Sequence, residues 1–199
     1  KLTLADDDAL EIPATTHLSI IDADGNAVAM TSSVESAFGS RIGVGGFLLN
    51  NQLTDFSWTA EKDGKPVANR MEPGKRPLSS MAPTFVFDDD NRLYAVVGSA
   101  GGPRIINYVA RALSALLDGK YEPTAAVTLP HLGPRPNATD VERGTAAESL
   151  IVEFEKRGHV IMKSEMTSGT HLIVREVVGG QAGWAGAVDP RREGFAAGD

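Results

Sequence analysis

The chain has 199 residues, 42% hydrophobic and 23% charged, enough apolar material to bury one substantial core. Its 26 acidic and 19 basic side chains leave a formal charge of -7, and Arg191 and Arg192 form an isolated basic pair, so a nucleic-acid backbone is excluded as a general partner. Cysteine is absent, which removes disulfides, thiolate nucleophiles and Cys-ligated zinc, and no apolar run reaches the roughly 20 residues that span a bilayer.

Residues 1–14, KLTLADDDALEIPA, hold a carboxylate run at Asp6 to Asp8 without an apolar period, so they read as a tail or linker, with no charged leader before an apolar stretch. From His17 the sequence alternates, with Leu18 and Ile20 on one side, turns at ADGN and resumes through Val28 and Met30, which predicts a β-hairpin. Residues 51–77 read as loop. A second hairpin is expected from Thr84 to Phe87 and Leu93 to Val97, with its turn at Asp88 to Asn91.

Pro103 sits where a helix can start. Ile105, Val109 and Leu113, beside Ile106, Ala110 and Leu117, predict one apolar helical stripe after it. Residues 123–137, rich in proline, read as loop. A second helix is expected from Ala146 to Arg157, with Ala147, Leu150, Ile151 and Phe154 inward and Gly158 as the stop. A third hairpin is predicted from His171 to Val178 and from Trp184 to Val188. Hairpins with segregated helices point to an α+β fold built on a largely antiparallel sheet.

Four segments can carry chemistry. Thr15, Thr16 and His17 stand directly before the first strand; a Thr hydroxyl becomes a useful nucleophile when its own α-amine, ordinarily with a pKa near ~8, serves as base, which requires the Thr to begin a chain. A Thr pair before a strand is usually just β-propensity, so the dipeptide by itself does not single out chemistry. In GSAGGPRII, from Gly98 to Ile106, a strand runs through glycines into a helix, a setting for main-chain N–H groups around an oxyanion; a P-loop would want Lys where Pro103 and Arg104 stand.

In GKRPLSSMAPT, Ser79 and Ser80 offer two hydroxyls for a carboxylate, although Ser-Ser is common in loops. In LLNNQLTDFSW, Gln52 and Asp55 can grip an ammonium group, or Asp55 can simply cap a turn. His17, His131, His159 and His171 lack metal-ligand spacing, so no metal site and no cofactor is expected.

Taken together, the strings TTHLSIIDADGNAVAMT, GGFLLNNQLTDFS, GKRPLSSMAPTFVF, GSAGGPRII and DPRREG resemble, in order and spacing, the small subunit of γ-glutamyltranspeptidases from Thr15 to the C-terminus. The resemblance implies an N-terminal-nucleophile hydrolase αββα sandwich to which this chain contributes the small-subunit part, with 1–14 a precursor tail and 15–199 the catalytic domain. It implies a precursor that cuts itself between Ala14 and Thr15, and a large subunit from that precursor as heterodimer partner, supplying a further Arg to the substrate. The activity implied is γ-glutamyl transfer from glutathione and other γ-glutamyl amides to water, amino acids or peptides.

By motif position, Thr15 resembles the nucleophile, and Ser33 falls where the family usually has a second Thr that hydrogen-bonds it. Gly101 and Gly102 match the oxyanion-hole glycines. Gln52 and Asp55 match positions that hold the substrate α-ammonium, and Ser79 and Ser80 those that hold its α-carboxylate. Glu35 departs from the Asn of well-known members on the ammonium side. With Lys1 to Ala14 attached, the Thr15 nitrogen lies in a peptide bond. A related acylase acting on glutaryl or cephalosporin-type amides, or a fragment serving only in assembly, are the competing readings. Family members are often periplasmic or secreted.

Overall fold

The computed structural model describes residues 15–135, 137–178 and 180–198. They fall into two compact units: one runs from Ser33 to Leu78, the other joins Thr15–Ser32 to the chain from Ser79 onward.

The larger unit is built on a four-stranded antiparallel sheet. Its strands β7 (Thr84–Phe87), β8 (Leu93–Gly98), β12 (His171–Val178) and β13 (Gln181–Val188) lie in the order β13-β12-β8-β7. Along β8 the period-two alternation sorts the residues by face. Ala95 and Val97, with Leu172, Val174 and Ala187, turn towards helices α1 (Ile105–Leu117) and α2 (Pro123–Thr128), meeting Ile105, Val109, Ala112, Leu116, Ala126 and Val127 in one core. Each large aliphatic side chain closed off there contributes about 1.5–3 kcal/mol.

The other face of β8 and β12 carries the hairpin of β1 (Thr15–Ile21) and β2 (Ala27–Ser33). A second, smaller sheet places β10 (Ala138–Glu142) between antiparallel β9 (Leu132–Arg135) and parallel β11 (Ile161–Ser164), the crossover to β11 carrying helix α3 (Ile151–Lys156).

Several expectations change here. In β1 the buried row is Thr15 and His17, while Ile20 on the supposed apolar side is 53% exposed, so the hairpin turns a polar row towards the main sheet. The buried stripe of α1 is Ile105, Tyr108, Val109, Ala112, Ala115 and Leu116, leaving Ile106 and Leu117 outside; the helix is apolar on more than one face, so periodicity alone does not fix which face turns inward. The expected loop at 123–137 holds both α2 and β9, because Pro123 sits in the first helical turn, where a missing N–H costs nothing. The helix expected from Ala146 to Arg157 is a 3-10 stretch, Ala146–Leu150, followed by α3; Ala147 is buried but Leu150 is exposed. Gly158 does follow it at φ 86, the left-handed stop. Strand β13 begins three residues before Trp184.

The smaller unit is held by polar side chains more than by apolar burial. Two minimal hairpins, β3 (Gly43–Val44) with β4 (Phe47–Leu48) and β5 (Glu61–Lys62) with β6 (Lys65–Pro66), flank a 3-10 turn at Gln52–Asp55. Asn51 Oδ1 accepts from the Ser36 N–H at 3.0 Å, and Asn69 Nδ2 donates to the Asp55 carbonyl at 2.7 Å. Phe56 is buried, whereas Phe38, Phe47 and Trp58 are exposed.

Candidate active site

Thr15 opens β1 in the larger unit and is buried, with 9% of its surface exposed. Two residues on, His17 fixes the strand to the sheet. Its ring lies over Gly98 of β8, where a Cβ would come within 2.1 Å of His17 Cε1. Nδ1 pairs with Thr31 Oγ1 at 2.8 Å and Nε2 with Ser19 Oγ at 3.1 Å, and the ring meets His171 edge-on at 6.0 Å. Burial, then the neighbouring His171, lowers the His17 pKa to about 4, so the imidazole is neutral. A polar side chain is thus the wedge that seats β1 on the main sheet.

The Thr15 carbonyl accepts from Arg192 Nη1 at 3.2 Å, and Arg192 Nε donates to the Thr167 carbonyl at 2.6 Å. The segment from 167 to 170 in turn supports the glycine turn. Ser99 Oγ accepts from the Gly169 N–H at 3.3 Å and from Thr170 Oγ1 at 3.2 Å, and the Ala100 N–H donates to the Gly169 carbonyl at 3.4 Å.

From that support Gly101 and Gly102 lead into a 3-10 turn and α1 with φ of 133 and 58, values that strain any residue with a Cβ. At Gly101 a Cβ would also lie 2.4 Å from Tyr108 Cε2. Two consecutive positive-φ amides at a helical N-terminus make a seat suited to developing negative charge.

Beneath the turn lies a buried polar chain. Tyr108 packs on His131 with the rings tilted by 44° and centroids 4.3 Å apart; His131 Nε2 pairs with Ser168 Oγ at 2.7 Å, and Ser168 donates to Asp189 at 2.5 Å. Arg191 closes it, bidentate to Glu142 at 2.6 and 2.9 Å and bound to Asp189 at 3.0 Å. Burial opposes the Asp189 charge, but the imidazole of His131 3.8 Å away and the hydrogen bonds from Ser168 and Arg191 outweigh it and hold the carboxyl below its usual range. Since Asp189 meets the serine and His131 meets the same serine, the order is not that of a nucleophilic triad. The arrangement is a brace.

In the smaller unit, Ser33, Glu35, Gln52 and Asp55 come together. Ser33 Oγ accepts from the Glu35 N–H at 2.9 Å, and Gln52 Nε2 donates to the Ser33 carbonyl at 3.3 Å. Glu35 holds φ 76, a left-handed conformation costing a side-chain-bearing residue on the order of 1 kcal/mol, and is fixed there by Ser36 Oγ at 2.6 Å and by Asn51 Nδ2. Burial, then the charge of Glu35, raises the Asp55 pKa.

Ser79 and Ser80 stand before β7; the Ser79 hydroxyl accepts from the Met81 N–H at 3.2 Å. Ala14 and the tail lie outside the described residues. Sequence reasoning gave no role to Arg192, Ser99 or Gly169. Arg192 was within reach, as part of the DPRREG string, but its partners are 177 and 25 positions away.

The γ-glutamyltranspeptidase family model matches residues 3–199. The glutathione hydrolase proenzyme of Escherichia coli is 38% identical over 189 residues, covering 89% of this chain and 31% of the relative, and glutathione hydrolase 2 of Arabidopsis thaliana is 34% identical, covering 92% and 35%. The chain therefore spans about a third of the length of these relatives. Among solved structures, a Helicobacter pylori γ-glutamyltranspeptidase variant matches with a TM-score of 0.79 and 32% identity over 89% of this chain and 100% of that one. A cephalosporin acylase from Bacillus halodurans matches with a TM-score of 0.77 and 25% identity over 91% and 33%. Among the described residues no helix is long and apolar enough to cross a membrane. The fold is that of the N-terminal-nucleophile hydrolases, of which the chain supplies the small-subunit part. The chain belongs to the γ-glutamyltranspeptidase family.

Proposed function

We propose that this chain is the nucleophile-bearing portion of an enzyme that transfers γ-glutamyl groups from glutathione and other γ-glutamyl amides to water, amino acids or peptides. The observation that carries the reading is the shared support of a buried Thr at the head of β1 and a positive-φ glycine pair at the head of α1: Thr15 is bound through Arg192 to the segment that also holds Ser99 and Ala100. Membership of the family supports it independently.

In this proposal, scission between Ala14 and Thr15 frees an α-amine that accepts the Oγ proton as Oγ adds to the γ-carbonyl carbon. The Gly101 and Gly102 amides stabilise the oxyanion by about 3 kcal/mol per donor. The intermediate expels the amine, which takes the proton back, and leaves a γ-glutamyl ester on Thr15; water or an amino group then attacks that ester. Ser33 supports the nucleophile, Gln52, Asp55 and Glu35 serve the α-ammonium, and Ser79 and Ser80 the α-carboxylate. The partner is the large subunit cut from the same precursor.

Intact mass of the full-length protein tests the reading. A fragment beginning at Thr15, with release of the chromophore from a γ-glutamyl anilide, is expected, and both are lost in Thr15→Ala. Cleavage or turnover that survives in Thr15→Ala refutes it. The likeness to the cephalosporin acylase favours a second reading, acylase action on amides without an α-ammonium. Faster turnover of a glutaryl anilide than of the γ-glutamyl one would establish that reading instead.

A further inference from the structure

We propose that Arg192 is a positioning residue that sets the Thr15 hydroxyl against the glycine turn, an inference that rests on the reading of Thr15 as nucleophile. A residue that begins a chain is poorly ordered unless something ties it down. Here one tie is at the carbonyl: Arg192 Nη1 donates to it at 3.2 Å, which restrains the peptide plane that follows Thr15 and so the Cα from which the hydroxyl projects.

The same guanidinium is anchored at its other end, Nε donating to the Thr167 carbonyl at 2.6 Å. Its stem lies flat on Gly169, where a Cβ would sit 2.8 Å from Arg192 Cδ and 3.5 Å from its Cβ and Cγ. Gly169 is the residue whose N–H binds Ser99 Oγ and whose carbonyl binds the Ala100 N–H, directly before Gly101. One planar, multiply donating head thus refers nucleophile and oxyanion donors to a single backbone segment. Lysine, a point charge with a flexible stem, cannot hold both carbonyls in that way.

The test uses the full-length protein and two variants. Arg192→Met keeps the stem and loses the donors; Arg192→Lys keeps the charge. With a γ-glutamyl anilide, Arg192→Met is expected to slow ester formation by about 10- to 100-fold, the range that misplacement of a reacting group by about an ångström produces, with KM changed less than about twofold. Self-cleavage, which uses the same Oγ, slows as well, the thermal midpoint stays within a few degrees, and Arg192→Lys recovers part of the rate.

A KM rise that accounts for the whole loss would make Arg192 a substrate-binding group and overturn the proposal. So would a collapse of the thermal midpoint, or rates equal to the parent's. If the parent itself does not turn over the anilide, the functional reading fails; if the parent is active and Arg192→Met matches it, this inference fails alone.

Discussion

Replacing Gly98 by alanine tests how β1 is seated. The added Cβ would lie 2.1, 2.4 and 2.6 Å from Cε1, Nδ1 and Nε2 of His17, where ordinary contact begins near 3.4 Å. The ring therefore has to shift by more than an ångström. It cannot do so without losing its bonds to Thr31 at 2.8 Å and Ser19 at 3.1 Å. Two such bonds are worth about 0.5–1.5 kcal/mol each, and overpacking adds about 1–3 kcal/mol.

Against this stands a gain of about 0.4–1 kcal/mol from stiffening the unfolded chain. The clash wins, and Gly98→Ala is expected to destabilise the protein by about 2–4 kcal/mol, measured as thermal unfolding of the full-length protein. The loss lies in one ring, which adds a sharper requirement. The double variant Gly98→Ala with His17→Ala must be less destabilised than the sum of the two singles by about 2 kcal/mol. Additivity within about 0.5 kcal/mol, the behaviour of independent sites, refutes it.

Two further outcomes are expected. Because His17 is held neutral with a pKa near 4 against an ordinary 6.5, the unfolded chain takes up the proton first. The contribution is whole above pH 6.5 and is lost as pH falls through 4, so the parent should lose about 2 kcal/mol more than His17→Asn between pH 7 and pH 4, a figure already reduced for solvent screening. Unfolding midpoints of both proteins across that range decide it, and parallel curves contradict it. Arg191→Met leaves Glu142 and Asp189 buried without their cation and should cost about 3–5 kcal/mol at pH 7, the deficit narrowing on acidification as Asp189, held below its usual range in the parent, takes up a proton. A deficit independent of pH would show that lost packing, not stranded charge, is responsible.

The local grammar of the chain was legible, and its limits are physical. Strand and turn chemistry placed β1 and β2, β7 and β8, and the passage from β8 through glycine into α1. Burial was harder to read. The apolar row of β1 was the natural candidate for the inner face, yet the row that meets the sheet is Thr15 and His17, because the partner surface at Gly98 is shaped for a flat imidazole. The prolines at 123 and 134 suggested loop, whereas one opens a helix and the other sits in β9, where positions without a required N–H tolerate it.

The candidate residues divide in the same way. Gly101 and Gly102 announce themselves by sitting between a strand and a helix, and the structure gives both positive φ. Ser33, Glu35 and Gln52 were picked out by motif, and they do share hydrogen bonds. Arg192 and Ser99 escaped because their partners come from distant parts of the chain, and long-range pairing leaves no periodic trace.

The sheet of β1 and β2 has two strands among the described residues, and two strands by themselves are marginal in water. The stiffness of the segment that begins at Thr15 is therefore borrowed. Part comes from below, through His17 pressed on β8; on the other side Ile20, Val28 and Met30 face outward at 53%, 48% and 47% exposure. A group packed on that surface would stiffen the strand at Thr15 without touching Thr15 itself.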